Sequence, residues 1–76
     1  MAEELPLTGV REGERVVVAR YCGEAAERLR ELGLTVGTEL VVRRRVGLGR
    51  VLEVEFRQLR VGMRLSEAAC IYVRRC

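Results

Sequence analysis

Residues 38–56 read TELVVRRRVGLGRVLEVEF, and this stretch decides the class of fold. Leu40 and Val42 alternate with Val41, Arg43 and Arg45; beyond the glycines, Leu52, Val54 and Phe56 alternate with Val51, Glu53 and Glu55. A period of two sends successive side chains to opposite faces of a β-strand. Two such strands joined by Val46-Gly47-Leu48-Gly49-Arg50 predict an antiparallel hairpin whose core face carries Leu40, Val42, Leu52, Val54 and Phe56. Gly47 and Gly49 also form a Gly-x-Gly, as a phosphate loop would. Such a loop leads into a helix whose N–H groups meet the anion, whereas here a strand follows. The connection therefore reads as a hairpin turn, and Arg43, Arg44, Arg45 and Arg50 make it a basic protrusion suited to docking.

Working outward, residues 57–60 (RQLR) read as a connection and residues 61–65 (VGMRL) as a further strand, with Val61, Met63 and Leu65 on one face. Ser66-Glu67-Ala68 reads as a single helical turn capped by the serine hydroxyl, and Cys70–Val73 as the last strand. Toward the N-terminus, residues 14–21 (ERVVVARY) are rich in β-branched side chains and form a strand. Residues 24–33 (EAAERLRELG) are the one convincing helix: Ala25, Leu29 and Leu32 recur at i, i+4, i+7 and make an apolar stripe, and Gly33 is placed for a left-handed C-cap. A helix of about ten residues is marginal alone, so Leu29 and Leu32 are expected to lie on the sheet. Residues 3–13, with Pro6, read as a lead-in or brief turn tied down by Leu5, Leu7 and Val10. The whole predicts one domain over residues 1–76, a mainly β antiparallel barrel of five to six short strands with one short α-helix, because closure protects strand edges that a flat sheet would expose.

The composition restricts chemistry further. The chain has 76 residues, all 14 basic ones arginine, 11 acidic groups and no histidine. A domain this small buries roughly 60% of the surface its unfolded chain exposes, so most apolar residues are committed to the core. Without histidine the usual near-neutral acid/base and neutral metal ligand are missing, which argues against hydrolytic or zinc enzymology. Ser66 and Cys22 have no base to activate them, and Glu53 with Glu55 alternate as ordinary solvent-facing strand carboxylates. The net charge of +3 hides −3 over residues 1–42 and +6 over residues 43–76. A basic surface attracts nucleic acid or an acidic protein face alike. Base stacking would need aromatics among the arginines, and the chain has only Tyr21, Phe56 and Tyr72. Cys22, Cys70 and Cys76 are odd in number and form no Cys-x-x-Cys pair, which argues against a disulfide framework; Cys22 and Cys70 read as reduced core or near-surface residues and Cys76 as a tail thiol. A metal role for Cys22 and Cys70 would require the two to converge and to recruit carboxylates. Neither a signal-like segment nor a long apolar run is evident, so the cytoplasm is the expected location.

The stretch RLRELGLTVGTELVVRRRVGLG, followed by LEVEF and GMRLSEAACIYV, resembles the FeoA-domain family of ferrous iron transport protein A, over nearly the whole chain. The residues that carry the resemblance are Leu29, Leu32, Gly33, Leu34 and Gly37, then Leu65, Ala68 or Ala69, with Ile71 and Val73. Family members commonly have proline where this chain has Val36, and often another where it has Arg50 and Val51. The resemblance implies an SH3-like barrel without catalytic residues, metal ligands or cofactor, acting in the cytoplasm or at the inner membrane as an accessory to FeoB, the GTPase-containing ferrous iron transporter. It makes Arg43, Arg44, Arg45, Leu48 and Arg50 the candidate partner-contact surface. Two alternatives stand beside it: a nucleic-acid-binding barrel, and an orphan module like the C-terminal domain of metal-dependent repressors.

Overall fold

The computed structural model describes residues 3–76. Strand β1 (Glu4–Pro6) passes through a 3-10 turn at Leu7–Gly9 into β2 (Arg15–Tyr21) and then helix α1 (Glu27–Glu31). Strands β3 (Glu39–Val46), β4 (Val51–Phe56) and β5 (Leu59–Arg64) follow, then the one-turn helix α2 (Leu65–Ala68) and β6 (Ile71–Arg75). All pairings are antiparallel within one six-stranded sheet of order β1-β6-β2-β3-β4-β5. Val16, Val18, Leu40, Val42, Leu52, Val54, Phe56, Met63, Ile71 and Val73 turn one face of the strands onto a single buried cluster with Leu7, Val10, Leu29 and Leu34. Two short helices cannot cover a flat sheet of that width, so the sheet curls on itself. Register shifts at Val18/Arg20 and Val42/Arg44 mark bulges that bend β2 and β3 into this curl. The expected mainly β antiparallel barrel is what forms.

Several local expectations give way. The lead-in is a strand, because Leu5 pairs with Val73 and Pro6 with Tyr72 at the sheet edge, where a missing N–H costs nothing. The RQLR connection shrinks to Arg57-Gln58, both with positive φ (48° and 68°), and Leu59 is already paired with Phe56. Helix α1 spans five residues instead of ten. Its stripe is rotated: Leu29 and Ala26 are buried, while Ala25 and Leu32 face solvent. Leu65 is only half-buried at the start of α2, whose Ser66 is exposed and caps nothing; the carboxylate of Glu67 accepts the Arg64 N–H at 2.9 Å instead. Of the two signature alanines it is Ala68 that is buried, and Ala69 is exposed.

Gly33 behaves as its position predicts. With φ of 105° it lets the Gly33 N–H reach the Arg30 carbonyl and the Leu34 N–H reach the Leu29 carbonyl, a Schellman cap. The chain is thereby reversed so that Leu34 returns to the core beside Leu29, both fully buried. The Tyr21 hydroxyl donates to the Leu34 carbonyl and fastens the loop to β2. Burial chiefly pushes the Tyr21 pKa up, to about 12, so the donor keeps its proton.

Candidate functional site

The β3–β4 hairpin ends in a four-residue turn in which Gly47, Leu48 and Gly49 all have positive φ (60°, 61° and 79°). Glycine adopts this region freely, whereas for a leucine it costs on the order of 1 kcal/mol. Leu48 is also 96% exposed, so its side chain returns nothing to the fold. Beside it Arg50 is exposed, its N–H accepted by the Gly47 carbonyl at 3.2 Å.

The three consecutive arginines do not form one basic surface. After Val42 pairs with Val54, the bulge lets Arg44 pair with Glu53 and Arg45 with Leu52. Arg43 Nε donates to Glu55 at 2.9 Å, and Arg60 of β5 reaches the same carboxylate at 3.2 Å. Arg44 Nε donates to Glu53 at 2.9 Å. Each glutamate is thus held below the ordinary carboxylate range, Glu53 by Arg44 and Glu55 by Arg43 and Arg60. Arg45 now shares the face of buried Leu52. Its guanidinium folds over the barrel end and donates to the carbonyls of Thr8 and Val10 at 2.9 and 3.0 Å, while its own N–H donates to Glu12. Its bonds are to the fold itself. Arg45→Ala is expected to lower the unfolding free energy by about 1–3 kcal/mol by stranding two partly buried carbonyls. Arg43→Ala and Arg44→Ala should barely move it, as urea titration of the three variants will show.

The basic rear half of the sequence is equally dispersed in space. Arg74 shares Glu4 with Arg20, and Arg75 meets Glu14, so strand pairing sets two arginines of the basic rear against glutamates of the acidic front. Of the expected contact residues, Leu48 and Arg50 remain together and available at the tip. Two further exposed apolar side chains, Val36 and Leu59, lie in loop and edge-strand positions that sequence reading did not single out.

An open polar hollow is lined by Arg11, Glu12, Gly13, Glu14 and Arg75. Its Glu14 accepts the Arg11 N–H and pairs with Arg75, which hold its pKa down. A general acid for neutral pH needs the opposite shift. Among the described residues, no three Cys, Asp or Glu side chains gather as a metal would require. No helix among the described residues is long and apolar enough to cross a membrane.

A family model described as FeoA domain matches residues 5–75. Among solved structures, the FeoA protein of Chlorobium tepidum is 33% identical, with a TM-score of 0.85, over 93% of this chain and 70% of its own. The zinc-complexed FeoA of Stenotrophomonas maltophilia, described as a procaryotic SH3 domain protein, is 28% identical, with a TM-score of 0.79, over 91% of this chain and 88% of its own. A manganese-dependent transcriptional repressor, 19% identical, has the same fold: it matches all of this chain with 44% of its own length at a TM-score of 0.87. Among curated proteins nothing matches.

Proposed function

This chain belongs to the FeoA domain family, which is associated with ferrous iron transport and has an SH3-like fold, and from that premise we propose that it is a non-enzymatic accessory protein of ferrous iron uptake. It acts in the cytoplasm by direct contact with the cytoplasmic part of a GTPase-containing iron transporter of the FeoB kind. Leu48 carries the reading. A leucine held at positive φ and almost fully exposed is a cost to the free protein, and burial against a partner offsets that cost. Arg50 beside it supplies a charge that steers the hairpin tip toward an acidic face. The four acidic groups whose pKa is displaced, Glu14, Glu53, Glu55 and Glu67, all move down and are ionised at neutral pH, which supports a binding role over acid catalysis.

The prediction has two signs that misfolding cannot mimic together. Asparagine tolerates positive φ better than leucine, so Leu48→Asn should be as stable as the natural chain or more stable by up to about 1 kcal/mol. It should nevertheless fail to restore ferrous iron accumulation in a deletion strain that the natural chain restores. Uptake unaffected by the deletion would remove the transport role, and full activity of Leu48→Asn would remove the hairpin tip as the contact.

A further inference from the structure

Cys22 and Cys70 stand opposite one another where β2 and β6 meet their connecting loops. Tyr21 pairs with Ile71, and one step further the Cys22 N–H donates to the Cys70 carbonyl at 2.9 Å. Directly opposed residues of an antiparallel pair project to the same face with Cα atoms about 4.5–5.5 Å apart, within the range that a disulfide spans. Both thiols are free and half-buried. The neighbouring Cys22 thiol, ahead of burial, pushes the Cys70 pKa up. The convergence that the sequence left open is therefore present, and among the described residues no carboxylate joins the two cysteines in a metal-binding group.

We propose that Cys22 and Cys70 form a dithiol site that undergoes exchange with low-molecular-weight disulfides and closes to an intramolecular disulfide. The thiolate of one cysteine attacks a sulfur of the small disulfide, forming a mixed disulfide and releasing one small thiolate. The second cysteine, as thiolate, then attacks the protein sulfur of that mixed disulfide and releases the other small thiolate. Two cysteine thiols are oxidised by two electrons, one disulfide is reduced to two thiols, and the two protons lost by the protein are taken up by the products. The new bond ties the segment entering α1 to the corner between α2 and β6. Cys76 takes no part: it is an exposed tail thiol whose neighbour is Glu39, 3.8 Å away. Nothing in the proposal rests on the transport reading.

The test uses the full chain carrying Cys76→Ser, equilibrated in mixtures of reduced and oxidised glutathione. As the mixture becomes oxidising, the protein should lose both free thiols and two hydrogens in mass while remaining one chain. Trypsin should then release residues 21–28 linked to residues 65–74. Adding Cys22→Ser or Cys70→Ser should leave only a glutathione adduct on the remaining cysteine. Retention of both thiols across the series, double glutathione adducts or intermolecular dimers would overturn the proposal.

Discussion

Leu29→Ala is expected to lower the unfolding free energy by about 3 kcal/mol, and Leu32→Ala, three residues further on, by well under 1 kcal/mol. Both leucines belong to the apolar stripe read from the helix, so the sequence assigns them equal weight. The structure does not: Leu29 is fully buried and Leu32 is 43% exposed. The difference follows from the cap. Because Gly33 reverses the chain at the end of α1, Leu29 contributes its carbonyl to Leu34 and its side chain to the same part of the core. Leu32 is the residue in the reversal itself, with its N–H on the Arg28 carbonyl and its side chain outward. A 76-residue domain is stable by on the order of 4–11 kcal/mol, so losing Leu29 removes a large part of the total. Urea unfolding should show a large fall in midpoint for Leu29→Ala at an unchanged slope, and almost none for Leu32→Ala. Equal falls would mean that the helix packs by its stripe after all.

That contrast shows where the sequence was legible. Strands with a strict period of two, Val51–Phe56 above all, could be placed face by face, because alternation transmits directly to burial. Gly33 could be placed because only a left-handed residue ends a helix that way. What could not be read were events without a residue signature. The bulge after Val42 is one extra residue in an unbroken run of arginines, yet it changes which face Arg45 occupies and turns it onto the barrel end. The Arg57-Gln58 turn holds positive φ without glycine or asparagine, so its four-residue neighbourhood read as a connection. Strand β1 is three residues long and depends on β6, seventy positions away, where Glu4 faces Arg74. The charge asymmetry is reduced in space by pairs distant in sequence, Arg74 with Glu4 and Arg75 with Glu14. For the candidate site, the hairpin tip was legible from its glycines, while the cost of Leu48's backbone and the isolation of Leu48 with Arg50 required the fold.

Glu67→Ala is expected to cost about 2–3 kcal/mol at pH 7, although the sequence offers Glu67 only as part of a polar turn. Its residue is 7% exposed and its carboxylate does three things at once. It accepts Arg28 Nε at 3.2 Å and Arg28 Nη2 at 3.0 Å, and it accepts the Arg64 N–H that would otherwise be an orphan at the start of α2. The same Arg28 donates to the Gly62 carbonyl at 3.1 Å, so one fork joins α1, β5 and α2. Arg28 is itself half-exposed and rehydrates when its partner is removed, which keeps the expected loss below that of a fully buried ion pair. The Arg28 hydrogen bonds, opposed by burial and helped by the Arg64 N–H, hold the Glu67 pKa below its ordinary value. A carboxyl whose pKa is lower in the folded state binds its proton more readily when unfolded, so its contribution is complete above the unfolded pKa of about 4.3 and is lost as pH falls through the folded value. The stability gap between the natural chain and Glu67→Ala should therefore be constant from pH 7 to about 5 and narrow steadily toward pH 3. Taking the difference between the two proteins removes the acid sensitivity they share through Glu14, Glu53 and Glu55, whose pKa values are also lowered. A gap equally wide at pH 3 and pH 7 would show that the methylene packing of Glu67 matters and its charge does not. Glu67→Gln separates the two further, since it keeps the side-chain length and an acceptor for the Arg64 N–H while losing the charge that binds Arg28.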